Sequence, residues 1–337
     1  MSLLKSLLSK NGESLLRTSM NKTAISRLFI TKLHLQPTRC NSILHTPQNS
    51  IGNVDQGVKY TTDFRNYAIN KENGEVLSYF HDIPLDLDLE TKTANIVVEI
   101  PRWSNGKFEI NTELAGNPIT QDVKKGKVRF VKNLFPYHGY IHNYGAFPQT
   151  WEDPNTKNEE LGLFGDNDPL DVCEIGSSIC QTGDIKRVKI LGCLALIDDG
   201  ELDWKVIVID TNDALSQELR DIHDVYVKCP GLLESTRQWF RDYKKPDGKP
   251  ENEFAFNGKY KNQQETIEII KECNASWQKL INGQVTSGKI PKTENVTFTN
   301  SPGHVSKFDT QILLENSSKP AAEIPSEVDK IYFCGGD

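Results

Sequence analysis

The alternation of apolar and polar positions changes rhythm along the chain. Between about residues 58 and 210, short apolar runs alternate with charges and are punctuated by Gly, Pro, Asn and Asp, as in β-strands joined by turns. Val58 to Ala68 and Val76 to His81 read as strands separated by the turn Glu72-Asn73-Gly74. Thr93 to Arg102 is a β-branched run with Glu99 near its end. A lone acid there faces either solvent, which an isolated strand favours, or a polar site. Lys107-Phe108-Glu109-Ile110 puts Lys107 and Glu109 on one strand face, and Gly126 to Val131 does the same for Lys127 and Arg129. Taken alone, such pairs are ordinary surface charges. Ile185 to Ile197 passes from alternating to continuously apolar, as a strand entering a buried sheet or barrel does, and ends at the turn Asp198-Asp199-Gly200. Asp203 to Ile209 then returns antiparallel, which sets Asp198 and Asp203 on either side of one turn, within reach of a shared cation. Lys205 shares the strand face of Asp203.

Beyond residue 212 the spacing becomes helical. Asp213 to about Val225 predicts a short amphipathic helix, and Pro230 starts a second on which Leu233, Thr236, Phe240 and Tyr243 recur. Tyr243 and Lys244 fall at its C-terminal end. Ile267, Ile270, Cys273, Trp277 and Leu280 form the stripe of a longer third helix that stops at Gly283. Residues 135 to 151, rich in aromatics, Gly and Pro, predict an ordered loop packed on the core. Its Tyr140 and Tyr144 read first as core residues with hydroxyls reaching solvent. A polar insert, Glu152 to Leu161, follows. From about 284 to 325 the chain is rich in Ser, Thr, Asn, Pro and Lys, the composition of a mobile or surface-wrapping tail, with Ile331-Tyr332-Phe333 available to pin its end.

Composition adds limits. At 337 residues there is length for one large domain or two ordinary ones. No run of 18 or more apolar residues occurs, so no membrane insertion is expected. The seven cysteines are scattered with no C-x-x-C pair, which argues for a reducing compartment and against a disulfide framework or a structural zinc. The net charge of −7 is uneven: residues 1 to 50 hold seven Lys and Arg against the single acid Glu13, a net of +6, leaving −13 on the rest. Basic, Ser- and Leu-rich and nearly free of acids, the first 45 or so residues read as a mitochondrial presequence, not as a nucleic-acid arm with dense basic runs. The acidic remainder weighs against nucleic acid or anionic lipid as a partner.

The candidate chemistry centres on Asp166-Asn167-Asp168-Pro169-Leu170-Asp171. Three carboxylates in six residues repel one another unless a cation sits among them, so the stretch is either a metal site or a solvated acidic turn. In the first case Asp166 and Asp171 chelate and Asp168 is left beside the ion for proton transfer. Glu99, Glu109, Asp198 and Asp203 add further hard oxygen donors without His or Cys, which suit Mg²⁺ or Mn²⁺. With Lys107, Arg129, Lys205 and Lys244 beside them, the set suggests a polyanionic, phosphate-bearing substrate. No Walker A loop, G-x-G-x-x-G, kinase signature or G-x-S-x-G elbow is present.

The motifs D-N-D-P-L-D, V-E-I-P-R-W, G-K-F-E-I, G-K-V-R-F-V, the run from Phe135 to Pro154, G-E-L-D-W-K and W-F-R-D-Y-K together resemble the soluble, metal-dependent inorganic pyrophosphatases of yeasts and other eukaryotes, over about residues 58 to 283. The basic N-terminus makes the chain similar to a mitochondrial member, with a matrix location. The resemblance implies a mainly β fold, a five-stranded OB-like barrel with peripheral helices, over a catalytic domain of residues 46–283 between a presequence (1–45) and a C-terminal tail (284–337). It implies that Asp166, Asp171 and Asp203 hold one Mg²⁺, with Asp171 shared to a second, and that Asp198, Glu109 and Glu99 serve further metals or their waters. Asp168 would take the proton from a water bridging the first two metals, supported by Tyr140, and the resulting hydroxide would attack phosphorus. Lys107, Arg129, Tyr144, Lys205, Tyr243 and Lys244 would hold the two phosphoryl groups of pyrophosphate. The resemblance further suggests a homodimer, with Arg102, Trp103 and His138 towards the partner. Two rivals remain at this point: a two-metal phosphatase or nuclease acting on other phosphate esters, and an OB-type single-strand binder, which would need a basic groove with exposed aromatics.

Overall fold

The computed structural model describes residues 50–309 and 319–332; the presequence expected over 1–45 and Phe333 lie outside the described residues. The chain opens with strands β1 (Ile51–Gln56), β2 (Arg65–Asn70), β3 (Val76–Leu77), β4 (Thr93–Ile100), β5 (Phe108–Ile110), β6 (Ile119–Gln121) and the small hairpin β7 (Val123–Lys124) and β8 (Lys127–Val128). Then follow β9 (Asn143–Ala146), β10 (Asp171–Glu174), β11 (Ile185–Asp198) and β12 (Glu201–Asp210), helices α1 (Ile222–Lys228) and α2 (Leu232–Asp242), β13 (Glu253–Phe254) and helix α3 (Gln263–Ile281).

Five strands close on themselves. β12 pairs in parallel with β10, β10 antiparallel with β9, β9 with β4, β4 with β11, and β11 again with β12. This is the mainly β architecture expected from the motifs, with helices outside. β11 divides its apolar residues between two clusters: Leu191 and Leu196 join one, while Val188, Ile190, Cys193 and Ala195 join the other beneath Ile267, Ile270 and Cys273 of α3. Apolar cover on both faces is why the run loses its alternation. β9 lies so close to β4 that a Cβ on Gly145 would stand 2.0 Å from the Val97 carbonyl oxygen, so only glycine fits beside Tyr144. A second sheet, in the order β1-β2-β6-β5 with β3 on β2, abuts through contacts between β4 and β5.

Several boundaries differ from the sequence reading. The first strand is Ile51–Gln56, and β2 begins only at Arg65. The helix expected over Asp213 to Val225 is split into a 3-10 turn, Ala214–Gln217, and α1. Asp221 causes the break: its carboxylate accepts the His223 N–H at 3.1 Å, and Asp224 accepts from the Asp221 N–H, so the acid caps a new helix instead of continuing an old one. α2 starts at Leu232, after Gly231 in the left-handed region at φ 87°, two residues beyond the expected Pro230. Part of the polar stretch after 284 is fastened to the body: His81 Nε2 donates to the Lys292 carbonyl at 2.8 Å, and the Val296 and Thr297 N–H groups donate to Asp82 at 3.0 Å each. Near the C-terminus Val328 is buried, whereas Ile331 and Tyr332 are exposed.

Candidate active site

The acidic hexapeptide is held by the segment before it. Asn167 takes the left-handed conformation (φ 80°), its N–H donates to the Glu152 carbonyl at 3.0 Å, and its side-chain oxygen accepts from Trp151 Nε1 at 3.2 Å. The Glu152 N–H returns to the Asp168 carbonyl at 3.0 Å, and Asp166 accepts the Asp168 N–H at 3.0 Å. This bracing fixes both carboxylates before the chain enters β10, whose first residue is Asp171. The register places Asp171 opposite Lys205 of β12. Lys205 Nζ bonds the Asp171 carboxylate, Asp203 at 2.5 Å and the Tyr144 hydroxyl at 2.9 Å; the Tyr144 hydroxyl in turn donates to Asp171.

Every residue singled out for chemistry except Arg129 and Lys244 lines one cavity of about 90 Å³. Lys244 and Tyr243, at the C-terminal end of α2, both reach Asp198. Arg129 is tied in through Asp122, which also accepts from Lys107 at 3.1 Å. Lys107 bonds Glu109 at 2.8 Å. Glu99 does not face solvent: it is 3% exposed, points inward and accepts the Ile110 N–H at 2.7 Å. Tyr140 is buried with its ring tilted against Tyr144 and Trp239. The hairpin register sets Asp198 opposite Glu201 and Asp203 opposite Leu196, so the two acids are diagonal neighbours on one face, and both line the cavity. Asp203 also meets Asp166 and Glu152, with one carboxylate oxygen from each of the three within 4.8 Å of the others.

Burial raises the pKa of Glu99, Glu152, Asp166, Asp168 and Asp203, and repulsion from neighbouring carboxylates adds to it. Asp168 is pushed up to about 7, first by burial and then by Glu109, with Lys107 opposing. Asp166 stands well above the usual carboxylate range through burial, Asp168 and Asp171; Glu99 does so through burial and Asp171. Burial works to lower the Lys205 ammonium, but Asp171 and Asp203 outweigh it and hold it well above the usual lysine value. A buried group of hard oxygen donors driven towards protonation is what a divalent cation relieves, so the residues present fit such an ion.

Two participants escaped the sequence reading. Asp122 gathers Lys107 and Arg129, and together they hold its carboxyl below the usual range against the effect of burial. It lies between two short strands with nothing in its surroundings to distinguish it. Glu152 opens what reads as a polar insert; its place next to the aromatic run ending in Trp151 was the available signal.

The family model for inorganic pyrophosphatase matches residues 96–278. The chain is 54% identical over 284 residues to the mitochondrial inorganic pyrophosphatase of Saccharomyces cerevisiae, covering 83% of this chain and 88% of that protein. It is 51% identical over 280 residues to the inorganic pyrophosphatase of Candida albicans, covering 83% of this chain and 96% of that one. Among solved structures, the inorganic pyrophosphatase of Schistosoma japonicum superposes with a TM-score of 0.77 at 44% identity, over 83% of this chain and 99% of that chain.

Proposed function

Because the chain belongs to the inorganic pyrophosphatase family and so hydrolyses inorganic pyrophosphate to two orthophosphates, we propose that the reaction runs in the cavity between Asp168 and Lys205. The observation that carries this placement is the convergence on that one cavity of seven carboxylates, buried or half-buried, with the ammonium groups of Lys107 and Lys205 among them. The enzyme is metal-dependent. Mg²⁺ is the ion proposed, several per site, with Mn²⁺ as a substitute; Asp166, Asp171 and Asp203 hold the first, and Asp198, Glu109 and Glu99 serve the others. Divalent cations there neutralise phosphoryl oxygens and lower the pKa of water.

The chain's own groups do the rest. Asp168, on a braced loop, accepts the proton of the attacking water, and Tyr140, wedged against Tyr144 and Trp239 in the wall of the same cavity, supports it. Lys107 and Arg129, spaced by Asp122, grip one phosphoryl group, while Lys205, Tyr144, Tyr243 and Lys244 grip the other and stabilise the leaving phosphate. Replacing Asp168 by Asn keeps the shape and removes the base. It lowers kcat by roughly 10² to 10⁴ while Mg²⁺ affinity changes less; wild-type turnover in that variant would reject Asp168 as the proton acceptor.

The protein acts in mitochondria, in keeping with its similarity to the yeast mitochondrial enzyme, and its basic residues 1–45 serve as the import presequence. It forms a homodimer. Trp103, 56% exposed at φ 64°, offers its ring outward while His138 Nδ1 bonds its carbonyl at 2.9 Å, and Phe135 lies exposed nearby in sequence. Arg102 contributes differently from its neighbour, since its guanidinium turns inward to the carbonyls of Glu174 and Gly176 and orders the loop behind Trp103.

A further inference from the structure

We propose that Glu152 is a further carboxylate of the metal site, holding a divalent cation together with Asp166 and Asp203. This rests on the metal-dependent reading given above and adds to it a residue outside the acidic hexapeptide and the β11–β12 hairpin.

The side chain is 4% exposed, and its two oxygens are treated unequally. Oε1 accepts the Trp204 N–H at 3.1 Å; Oε2, equally buried, has no donor among the described residues. An ionisable oxygen without a donor in the interior is costly unless something electropositive faces it. What lies nearby is the reverse, the oxygens of Asp166 and Asp203 within 4.8 Å. The local lysines are committed elsewhere: Lys205 bonds Asp171 and Asp203, and Lys261 pairs with Glu160 and Glu265. Three convergent hard oxygen donors, one of them the undonated Oε2-bearing carboxylate of Glu152, are a divalent-cation site in chemical terms.

Glu152 also joins the two segments that bring its partners together. Its backbone exchanges two hydrogen bonds with Asn167 and Asp168, while its side chain bonds the main chain of β12 between Asp203 and Lys205. It lines a cleft of about 710 Å³ beneath α3 and not the 90 Å³ cavity, whereas Asp166 and Asp203 line the latter. Glu152 therefore approaches the two aspartates from the side away from the substrate, as a group that holds metal and does not touch pyrophosphate.

The test is Mn²⁺ binding to the metal-stripped full chain, followed by electron paramagnetic resonance and calorimetry, with metal-free circular dichroism and melting as the fold check. Glu152→Gln can still accept the Trp204 N–H but loses the charge; it weakens one class of Mn²⁺ sites about tenfold to a hundredfold with the metal-free fold intact. Glu152→Asp, with its charge withdrawn by one methylene, falls between. Glu159→Gln, exposed on the same segment, leaves the isotherm unchanged. A wild-type isotherm in Glu152→Gln would overturn the proposal and leave the metal-dependent reading intact. So would loss of the metal-free fold in both Glu152 variants while Glu159→Gln folds, which would make Glu152 a structural brace only. Failure of the wild type itself to bind Mn²⁺ would instead remove the metal reading on which the proposal stands.

Discussion

Asp171 and Lys205 are register partners on two parallel strands of the closed barrel, and the Lys205 ammonium bonds both Asp171 and Asp203. The same pairing recurs around the cavity: Lys107 bonds Glu109, and Lys244 bonds Asp198. Each lysine assigned to phosphate thus neighbours a carboxylate assigned to metal. Removing one lysine should therefore unbalance a defined acid pair. In Lys205→Met, Asp171 and Asp203 lose a buried counter-ion, at a cost of roughly 3–5 kcal/mol when no metal is present. Melting in chelator should fall, and Mg²⁺ should raise it by more than in the wild type, because the ion neutralises the same carboxylates. Unchanged melting in chelator would show that the pair carries little.

A pH dependence follows from two buried histidines that do not line the carboxylate cavity. Burial lowers His81 to about 4, although its bond to the Lys292 carbonyl opposes this; burial and then Arg102 lower His142 to about 3. His81 Nε2 donates to that carbonyl while Nδ1 accepts from Trp277 Nε1 at 2.9 Å, so a proton on Nδ1 would break a buried bond. The folded chain keeps both rings neutral where the unfolded chain, with an ordinary histidine pKa near 6.5, takes up protons. The contribution of these histidines to stability is therefore full above about pH 6.5 and is lost as pH drops towards 4, by roughly 3 kcal/mol for His81 alone, while the raised carboxylates act with the opposite sign. Denaturant titrations at successive pH values check this. The His81→Gln variant should show a flatter slope across that window, and an identical slope would contradict the assignment.

The exposed indole at Trp103 is the direct test of assembly. Replacing Trp103 by Ser removes the largest apolar group offered by that face. Sedimentation should shift from dimer towards monomer, with little loss of monomer stability because more than half of the Trp103 surface is exposed. A wild-type sedimentation profile would place the interface elsewhere.

Much of the site was legible in the sequence because strands fix side-chain direction. Lys107 with Glu109, and Asp203 with Lys205, follow from period-two alternation, and both pairs converge as read. Glu99 misled because one strand alone cannot reveal that its second face is covered; here every residue of β4 is buried. Asp198 and Asp203 flank their turn as read and both line the cavity, but the meeting of Asp203 with Asp166 and Glu152 comes from tertiary packing that the hairpin alone does not encode. Asp122 and Glu152 act through neighbours outside their own strand or turn: Asp122 meets Arg129 across seven residues and Lys107 across 15, and Glu152 meets Trp204 across 52, spacings that no local period encodes. The fastening of residues 292–297 was hidden for the same reason: Asp82 and His81 supply polar anchors where a search for apolar pairs finds none.

The cavity is proposed to hydrolyse pyrophosphate by means of divalent metal. The most direct measurement is orthophosphate released from pyrophosphate by the purified chain, with Mg²⁺ and after chelation, beside a sugar phosphate and DNA as competing esters. The account predicts two orthophosphates per pyrophosphate with Mg²⁺, almost none after chelation, and little from either ester. Undiminished release without divalent metal, or comparable turnover of all three substrates, would contradict it.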